Sequence, residues 1–312
     1  MMVPSQIYHD NMNDEACAIC RDGGDLICCD SCPSVFHQSC LNIEELPSGD
    51  WHCIFCCCKF CGLFKESKRQ DTANNPNYGC VFLTCQTCRK KYHESCFDAN
   101  TNETVHFNRA SVCGKICQQI FEKFEILLRG KHEVGDGFSV TLFCKSHDIH
   151  WSDSKMDEAL SIMYECFQPI FVNHNANKID MIPNILSSRW SSSPSINYAG
   201  FFTVLLENRG QAISVATIRI HENQYAEMPF IGTRYMYRKR GMCRRLMNAI
   251  ESILRFLNVE MLIIPSAQEV LHTWISCFGF EPLDMNTKNL IKNKNVVKFF
   301  GVEMLQKKIN KV

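Results

Sequence analysis

Pairs of cysteine and histidine at metal-ligand spacing dominate the first 120 residues of this 312-residue chain. The chain has 21 cysteines, and most of them lie in this part. A gap of two residues lets a tight turn direct both side chains of a pair at one ion, and four such ligands complete a tetrahedral zinc site. The first four pairs, which predict two zinc ions, are Cys17 and Cys20, Cys29 and Cys32, His37 and Cys40, and Cys53 and Cys56.

Dense cysteines form either disulfides or thiolate metal sites, depending on the redox compartment. The N-terminus has no basic segment followed by an apolar stretch, so we expect no secretory signal peptide. No segment approaches the roughly 18 consecutive apolar residues of a membrane span, so we expect no membrane association. The alternation of cysteine with histidine favours metal sites in a reducing compartment.

The order of the ligands distinguishes two kinds of cross-braced finger. A RING finger, typical of ubiquitin ligases, has its histidine among the first four ligands, whereas His37 is fifth here. Residues 14–57 resemble the plant homeodomain (PHD) finger in this order, in the segment Gly23–Asp30, and in Trp51 two residues before Cys53. Because so small a domain cannot bury enough apolar surface to fold alone, we expect zinc to be its main source of stability.

The resemblance implies that this finger binds the tail of histone H3 as an added β-strand. The leader before Cys17 offers carboxylates and an amide, which suit the three donors of an unmodified lysine ammonium. The segment between the second and third ligands lacks an aromatic cage for trimethyl-lysine. By resemblance to fingers that recognise unmodified H3, Asn13 and Glu15 would hold the lysine, and Asp30 would pair with the tail's arginine. The tail would lie along Leu26, Ile27 and Cys28.

The same order of four cysteines, one histidine and three cysteines starts again at residue 58. The first two pairs are separated by 23 residues and the last pair by three, so residues 58–147 resemble a degenerate finger, for which we expect a structural role. Cys144 with His147 is an alternative last pair. The predicted ligands are Cys58, Cys61, Cys85, Cys88, His93, Cys96, Cys113 and Cys117.

Residues 151–306 are poor in cysteine and alternate strand-like runs with helical periodicity. Strands are predicted at 200–207, 212–221, 225–233, 259–265 and 296–305. Helices are predicted at 156–171, 243–257 and 269–278, and another at 116–128 connects this part to the second finger. Strands mixed with crossover helices predict an α/β domain with a mixed sheet, preceded by the two small zinc-stabilised fingers.

A basic turn, Arg238–Cys243, joins a predicted strand to a predicted helix. Gly241 lets backbone N–H groups point at an anion bound at the helix N-terminus. Pyrophosphate is the anion that we expect there. The turn lacks the Gly-Lys-Ser/Thr ending of a nucleotide P-loop and the three glycines of a dinucleotide-binding fingerprint. Taken alone, the turn also fits the solvent-exposed, basic beginning of an ordinary helix.

From about residue 156 to residue 305 the chain resembles the GNAT acetyltransferases, whose turn signature holds the pyrophosphate of acetyl-CoA. Cys243 departs from the glycine or alanine of the family, and Ile275 replaces the tyrosine that is the general acid of many members. The resemblance assigns to acetyl-CoA the residues Phe230, Ile231, Arg238, Arg240, Gly241, Met242, Cys243, Arg244 and Arg245.

Glu227 lies fourteen residues before Gly241, where GNAT histone acetyltransferases carry a glutamate on the fourth strand. The implied role is general base, because a lysine ammonium must lose a proton before its nitrogen attacks the thioester. We expect Met228, Phe230 and Ile231 to form an apolar wall that raises the pKa of this carboxyl toward neutrality. An edge-strand glutamate facing solvent is the alternative interpretation.

The succession of two fingers and a GNAT-like domain resembles the plant "increased DNA methylation" histone acetyltransferases. It implies a nuclear enzyme that transfers acetyl groups from acetyl-CoA to histone H3 and works with chromatin co-regulator proteins in transcription and DNA methylation. A net charge of zero argues against strong direct DNA binding. The alternative function, favoured by Cys243 and Ile275, is a non-catalytic chromatin reader with an inactive GNAT fold.

Overall fold

The computed structural model describes residues 13–46, 48–64, 82–100, 112–144, 153–174, 177–292, 294–299 and 301–309. Within these residues, two small cysteine-rich units precede an eight-stranded sheet that has helices on both faces. No helix in the described part is both long enough and apolar enough to cross a membrane.

Each finger consists of a small antiparallel ladder followed by a short helix. In the first finger, Trp51 packs edge to face against Phe36 with ring centroids 5.6 Å apart, which gives this tryptophan a structural position. The second finger repeats the order of elements, as its ligand pattern predicts. The elements are β1 (Ile27–Cys28), β2 (Val35–Phe36) and α1 (Gln38–Leu41), then β3 (Phe82–Thr84), β4 (Lys91–His93) and α2 (Glu94–Asn100).

The C-terminal part is built on one mixed sheet, which confirms the predicted α/β class. Its strand order is β13-β14-β12-β11-β10-β9-β6-β5, and among the described strands only β11 and β12 pair in parallel. A separate hairpin, β7 with β8, lies outside it. The elements are α3 (Lys115–Leu128), β5 (Lys131–Glu133), β6 (Phe138–Phe143), α4 (Asp153–Cys166), β7 (Phe171–His174), β8 (Asn177–Asp180), α5 (Met181–Leu186), β9 (Phe201–Asn208), β10 (Gln211–His221), β11 (Tyr225–Thr233), α6 (Met242–Phe256), β12 (Met261–Ser266), α7 (Gln268–Phe278), β13 (Glu281–Pro282), α8 (Met285–Lys292) and β14 (Glu303–Lys308).

Both faces of the sheet are covered by amphipathic helices. On one face, α3 and α6 pack against the central strands, and Phe124 of α3 stacks on Phe202 of β9 at 4.0 Å. On the other face, α4 and α5 cover the same strands. Helix α6 repeats apolar residues at helical spacing, from Leu246 to Leu254, and its last turn leads to Asn258 in the left-handed conformation, which stops the helix.

The predicted boundary between the second finger, 58–147, and the C-terminal domain, 151–306, is wrong. Strands β5 and β6 belong to the large sheet, where Leu142 lies opposite Val204. Helix α3 belongs to both units, because Cys117 lies in a ligand group of the second finger while Phe124 packs on the sheet. Ile116, in the first turn of α3, is exposed, whereas Ile120 and Phe124 are buried. The shared helix joins the finger firmly to the sheet.

Two other predicted segments differ from the structure. The run 296–305 contains a strand only from Glu303, because residues 294–299 cross beside β11 and the N–H of Val297 donates to Glu227 instead of to a strand. The helix predicted at 156–171 ends at Cys166, and β7, β8 and α5 follow it. Asp180 caps α5 by accepting the N–H of Ile182. Residues 145–152 lie outside the described residues.

Candidate metal centres and candidate active site

The sixteen predicted metal ligands come together in four groups, and within each group all ligand atoms lie within 4.8 Å of one another. In each finger the first and third pairs share one group, and the second and fourth pairs share the other. This cross-brace ties the two ends of each finger together. The groups are Cys17, Cys20, His37 and Cys40; Cys29, Cys32, Cys53 and Cys56; Cys58, Cys61, His93 and Cys96; and Cys85, Cys88, Cys113 and Cys117.

The spacing within these groups fits tetrahedral zinc. The sulfurs of Cys32 and Cys53 are 3.6 Å apart. A zinc–sulfur bond of about 2.3 Å requires about 3.8 Å between ligands. His37 turns Nδ1 toward Cys20 at 3.2 Å, while its Nε2 lies 2.9 Å from the carbonyl of Gly23. That outer hydrogen bond places the proton on Nε2 and leaves Nδ1 free to bind a metal.

The alternative ligand Cys144 lies apart from the four groups. Its side chain is buried in the core of the large sheet domain. His147, its proposed companion, lies outside the described residues. The last pair of the second finger is therefore Cys113 with Cys117, whose sulfurs are 3.5 Å apart.

The predicted tail-binding surface lies along one edge of the first finger. Among the described strands, β1 pairs only with β2, so its other edge keeps backbone groups for an added strand. One carboxylate oxygen of Asp30 accepts the N–H of Trp51 at 2.6 Å, which orients the carboxylate. Asn13, Glu15, Cys28 and Asp30 are exposed, and Leu26 and Ile27 are half-buried.

The first finger packs on the large domain through its acidic leader. Asp14 accepts a hydrogen bond from Ser193 at 3.0 Å, and the ring of His174 lies 3.1 Å from the same carboxylate. Lys298 donates to the carbonyl of Ile19. These contacts join residues far apart in sequence, 179 positions for Asp14 with Ser193 and 279 for Ile19 with Lys298, so no local pattern could have predicted them.

The second finger contacts the large domain through Glu222, at the turn between β10 and β11. Lys59 and Lys90 both bind its carboxylate, at 2.8 Å and 3.0 Å. Burial alone would raise the pKa of Glu222, but the two lysines lower it to about 2. Lys59 also donates to the sulfur of Cys113 at 3.0 Å, so one side chain connects a ligand group to this turn.

The basic turn before α6 presents backbone donors at a helix N-terminus. Gly241 has a φ of 77°, a left-handed conformation that favours glycine, and it is the residue before the first turn of α6. No acidic residue lies in that turn. Burial raises the pKa of the Cys243 thiol to about 11, so the thiol adds no negative charge near an anion. The half-buried Met242 packs against the core.

The arginines around this turn do not converge on one point. Arg244 donates to the carbonyl of Cys277, whereas Arg245 donates to Asp136 on the opposite side. Arg238 donates to the carbonyls of Thr233 and Glu165. The side chain of Arg240 is exposed. In this arrangement the backbone N–H groups, with Arg240, are better placed to bind a phosphate than the other three guanidinium groups.

Strands β11 and β12 separate immediately after Glu227. Their parallel register consists of Ala226 with Leu262 and Glu227 with Ile263. Beyond this point, β11 keeps its pairing with β10, but its other edge has no strand partner among the described residues. Phe230, packed between Phe167 and Phe299, and the half-buried Ile231 lie on this separated stretch. Its backbone is therefore available to hydrogen-bond an extended ligand.

Glu227 lies at that separation point, but its surroundings are not the predicted apolar wall. The side chain is 2% exposed, and Oε1 lies 2.7 Å from Arg219 Nε and 2.7 Å from His221 Nε2. Oε2 accepts the N–H of Val297 at 2.8 Å. Burial would raise the pKa of Glu227, but these partners, Arg219 first, lower it. The expected upward shift is wrong, because the carboxylate is ion-paired.

The sequence analysis overlooked Arg219 and His221 as site residues. Both lie on β10 at a spacing of two, so they project on the same face of the strand, and Arg219 pairs in register with Glu227. Two polar residues at alternate positions of an otherwise apolar strand were the signal. Burial lowers the pKa of His221. Its neutral ring would carry the proton on Nε2, facing the ionised Glu227, and leave Nδ1 as an acceptor.

Comparison with known proteins matches two parts of the chain to families. Residues 17–56 match the PHD-finger family, and residues 167–308 match the family described as "Increased DNA methylation 1, C-terminal domain". Increased DNA methylation 1 of Arabidopsis thaliana is 34% identical over 96% of this chain. Nearly the whole chain is therefore similar to one part of Increased DNA methylation 1. It spans about a quarter, 25%, of the length of that relative.

The PHD finger and the sheet domain are also similar to separate known proteins. The finger region is 48% identical to Autoimmune regulator of Homo sapiens over 58 residues, which are 18% of this chain and 11% of that protein. The structure of Tetrahymena GCN5 is 14% identical and covers 56% of this chain and 97% of its own, with a TM-score of 0.39. The similarity to Increased DNA methylation 1 spans both units.

Proposed function

We propose that this chain is a histone lysine acetyltransferase that uses acetyl-CoA. The observation that carries the proposal is the position of Glu227. It lies at the point where β11 and β12 separate, on the strand that leads to the basic turn before α6. A carboxylate, a free strand edge and a helix N-terminus with backbone donors are thus combined in one fold.

Acetyl-CoA would supply the activated thioester, and the residues of this chain would bind and orient it. The N–H groups of the first turn of α6 and the guanidinium of Arg240 would hold its pyrophosphate. The backbone from Pro229 to Ile231 would hydrogen-bond its pantetheine arm along the free edge of β11. The backbone groups and the Arg240 guanidinium together fit an anionic, extended cofactor.

Glu227 would accept the proton that the substrate lysine must lose. Its carboxyl is ionised at neutral pH, because Arg219 and His221 lower its pKa. His221 has a side chain that is 15% exposed, compared with 3% for Glu227, so its ring is the more accessible member of the pair. We infer that His221 passes the proton from the lysine side to Glu227, while Arg219 positions the carboxylate.

The PHD finger would bring the enzyme to chromatin by binding an unmodified histone H3 tail. This assignment places the chain in the nucleus, with chromatin co-regulator proteins as partners, and gives it a role in transcription and DNA methylation. Zinc would stabilise both fingers. The free edge of β1 and the exposed Glu15 and Asp30 support the proposal.

A non-catalytic reader with an inactive acetyltransferase fold is the second candidate. One observation favours it: residues 294–299 cross over Glu227 and leave its side chain 2% exposed. Catalysis requires this segment to move when substrates bind. A reader that never transfers acetyl groups would not require the movement.

Transfer of a labelled acetyl group from acetyl-CoA to H3 peptides tests the main proposal. With the zinc-loaded chain, we expect label on peptide lysine, with a rate that saturates in both substrates. Omitting the peptide controls for self-acetylation. Peptide binding without any transfer would instead establish the reader as the function.

Replacing Glu15 by alanine is expected to weaken binding of an unmodified H3 peptide about tenfold or more, because a hydrogen bond between charged groups is lost. A peptide trimethylated at the lysine should already bind weakly to the unaltered chain, since the methyl groups displace the same hydrogen bonds. Asp25→Ala is the matched control, because Asp25 is an equally exposed carboxylate of the same finger. Calorimetry measures all four affinities. Equal affinity for both peptides would refute the assignment of Glu15.

A further inference from the structure

A cavity of about 410 Å³ lies between the first finger and the large domain. The finger contributes Glu15 and Arg21 to its lining, and the large domain contributes His174, Tyr198 and Lys298. None of these residues belongs to the four ligand groups or to the turn before α6. The cavity is therefore separate from the metal centres and from the proposed pyrophosphate position.

The lining of the cavity links the proposed reading surface to the proposed catalytic carboxylate. It includes Glu15, which is proposed to hold the tail's lysine, and also Asn295 and Val297. The carbonyl of Asn295 accepts a hydrogen bond from Arg219, and the N–H of Val297 donates to Glu227 at 2.8 Å. The backbone around Val297 therefore lines the cavity and also contacts the site of proposed chemistry.

A buried hydroxyl in the lining lacks a partner. Tyr198 is 2% exposed, and its phenol oxygen makes no hydrogen bond to the residues that the structure describes. Burying a hydroxyl without a partner is costly, so a ligand that met this group would gain a favourable contact. Phe171, another lining residue, is 56% exposed and offers an aromatic face. The lining thus combines an unused polar group with an apolar surface.

The charges of the lining suit a peptide better than a phosphate. Asp14 is already paired with Ser193 and His174, which leaves Glu15 as an acceptor. Arg21 and Lys298 add two cations to the same lining. A peptide backbone presents carbonyl and N–H groups together and can satisfy both kinds of group. The carboxylates of Asp14 and Glu15 offset the two cations, so the lining offers a free phosphate no net attraction.

We propose that this cavity receives the part of a histone tail that follows the lysine held at Glu15, and directs it toward Glu227. This inference rests on the proposed function and adds a route between its two sites. In H3 the arginine assigned to Asp30 precedes the first lysine, so the chain beyond that lysine leaves the finger on the side of Glu15. A lysine further along the tail then lies on the path to Glu227 and is the acetyl acceptor.

The acceptor position also explains why residues 294–299 lie where they do. Asn295 and Val297 form the wall between the cavity and Glu227. A tail that fills the cavity takes over contacts with this wall and displaces it, which exposes the carboxylate. Tail binding by the first finger and acetyl transfer at Glu227 are then coupled, since the bound tail exposes Glu227.

Two unmodified H3 peptides test the route, one ending just after its first lysine and one continuing through the second. We expect the longer peptide to bind the whole zinc-loaded chain about tenfold more tightly. Tyr198→Phe, which removes only the hydroxyl, should reduce that advantage about threefold to tenfold, as expected for one hydrogen bond. Phe171→Ala, at an exposed position that the fold tolerates, should reduce it similarly. Calorimetry measures each affinity.

Tyr164→Phe is the control, because its hydroxyl bonds to Asp180 outside the cavity. It should leave the advantage of the longer peptide unchanged. Equal binding of the two peptides by the unaltered chain overturns the route but leaves tail reading intact. Failure of both peptides to bind overturns the route together with the reader role. The route is also overturned if the longer peptide keeps its tighter binding in both Tyr198→Phe and Phe171→Ala.

Discussion

Replacing Glu227 by glutamine is expected to lower the rate of acetyl transfer by about 100-fold to 10,000-fold, the contribution of a positioned general base. Glutamine has the shape of glutamate but cannot hold the proton from the substrate lysine. The binding of a short H3 peptide that ends just after its first lysine should stay unchanged, because β1 and Glu15 lie on a separate unit. Initial rates at saturating substrates measure the effect.

The same substitution is expected to destabilise the fold by about 3 kcal/mol, because it leaves the buried charge of Arg219 without its counter-ion. A loss of activity could therefore reflect unfolding. Glu207→Gln is the matched control, since Glu207 is 3% exposed, lies in the same sheet and is paired with Lys131 and Lys155. It should lose stability but keep its rate. An equal loss of rate in both variants would contradict the catalytic assignment.

The pH dependence of stability is a second test of the ion pair between Glu227 and Arg219. The pKa of Glu227 is lowered in the folded chain, so its ion pair stabilises the fold above the pKa of an unfolded glutamate. The stabilisation is lost as the pH falls through the lowered value. The difference in unfolding free energy between the wild type and Glu227→Gln should be constant down to about pH 5 and then shrink. Chemical denaturation at several pH values measures it.

Replacing Cys56 by serine is expected to remove one of four zinc ions and to unfold the first finger. Structural zinc sites contribute about 10–16 kcal/mol to the folding of small fingers, far more than so small a core provides. Cys58→Ser should remove one zinc ion from the second finger. Its effect should also reach the large domain, because helix α3 and Lys59 join the two.

Cys57→Ser is the control, since Cys57 lies between these residues and belongs to no ligand group. It should keep four zinc ions and normal resistance to proteolysis. Metal content per chain and limited proteolysis measure all three variants. Four zinc ions in Cys56→Ser, or three in Cys57→Ser, would contradict the assignment of ligands.

The metal groups could be predicted from sequence because their geometry is largely local. Each close pair is joined by a tight turn, so ligand order and spacing suffice to identify it. The cross-brace follows from the type of finger. The central strands and α6 were also predictable, because their apolar residues repeat with the period of their element. The strand at Tyr225–Thr233 has the predicted bounds.

The electrostatic environment of Glu227 depended on tertiary structure. Sequence neighbours suggested an apolar wall, but the register of β10 with β11 brings Arg219 opposite Glu227, and a distant segment adds Val297. These contacts lower a pKa that the neighbouring residues alone would have raised. The direction of the shift depends on strand pairing, which a linear pattern does not specify.

The division into units also required the folded chain. Residues 131–143 follow the second finger in sequence, yet β6 pairs with β9 far along the chain. The cavity beside Glu15 exists only because Asp14 and Ser193 bring two units together. Sequence alone therefore determined which residues can hold metal, and it located the central strands and helix α6. Tertiary structure decided how charge, burial and neighbouring units meet at the site, because those contacts join residues without any local spacing.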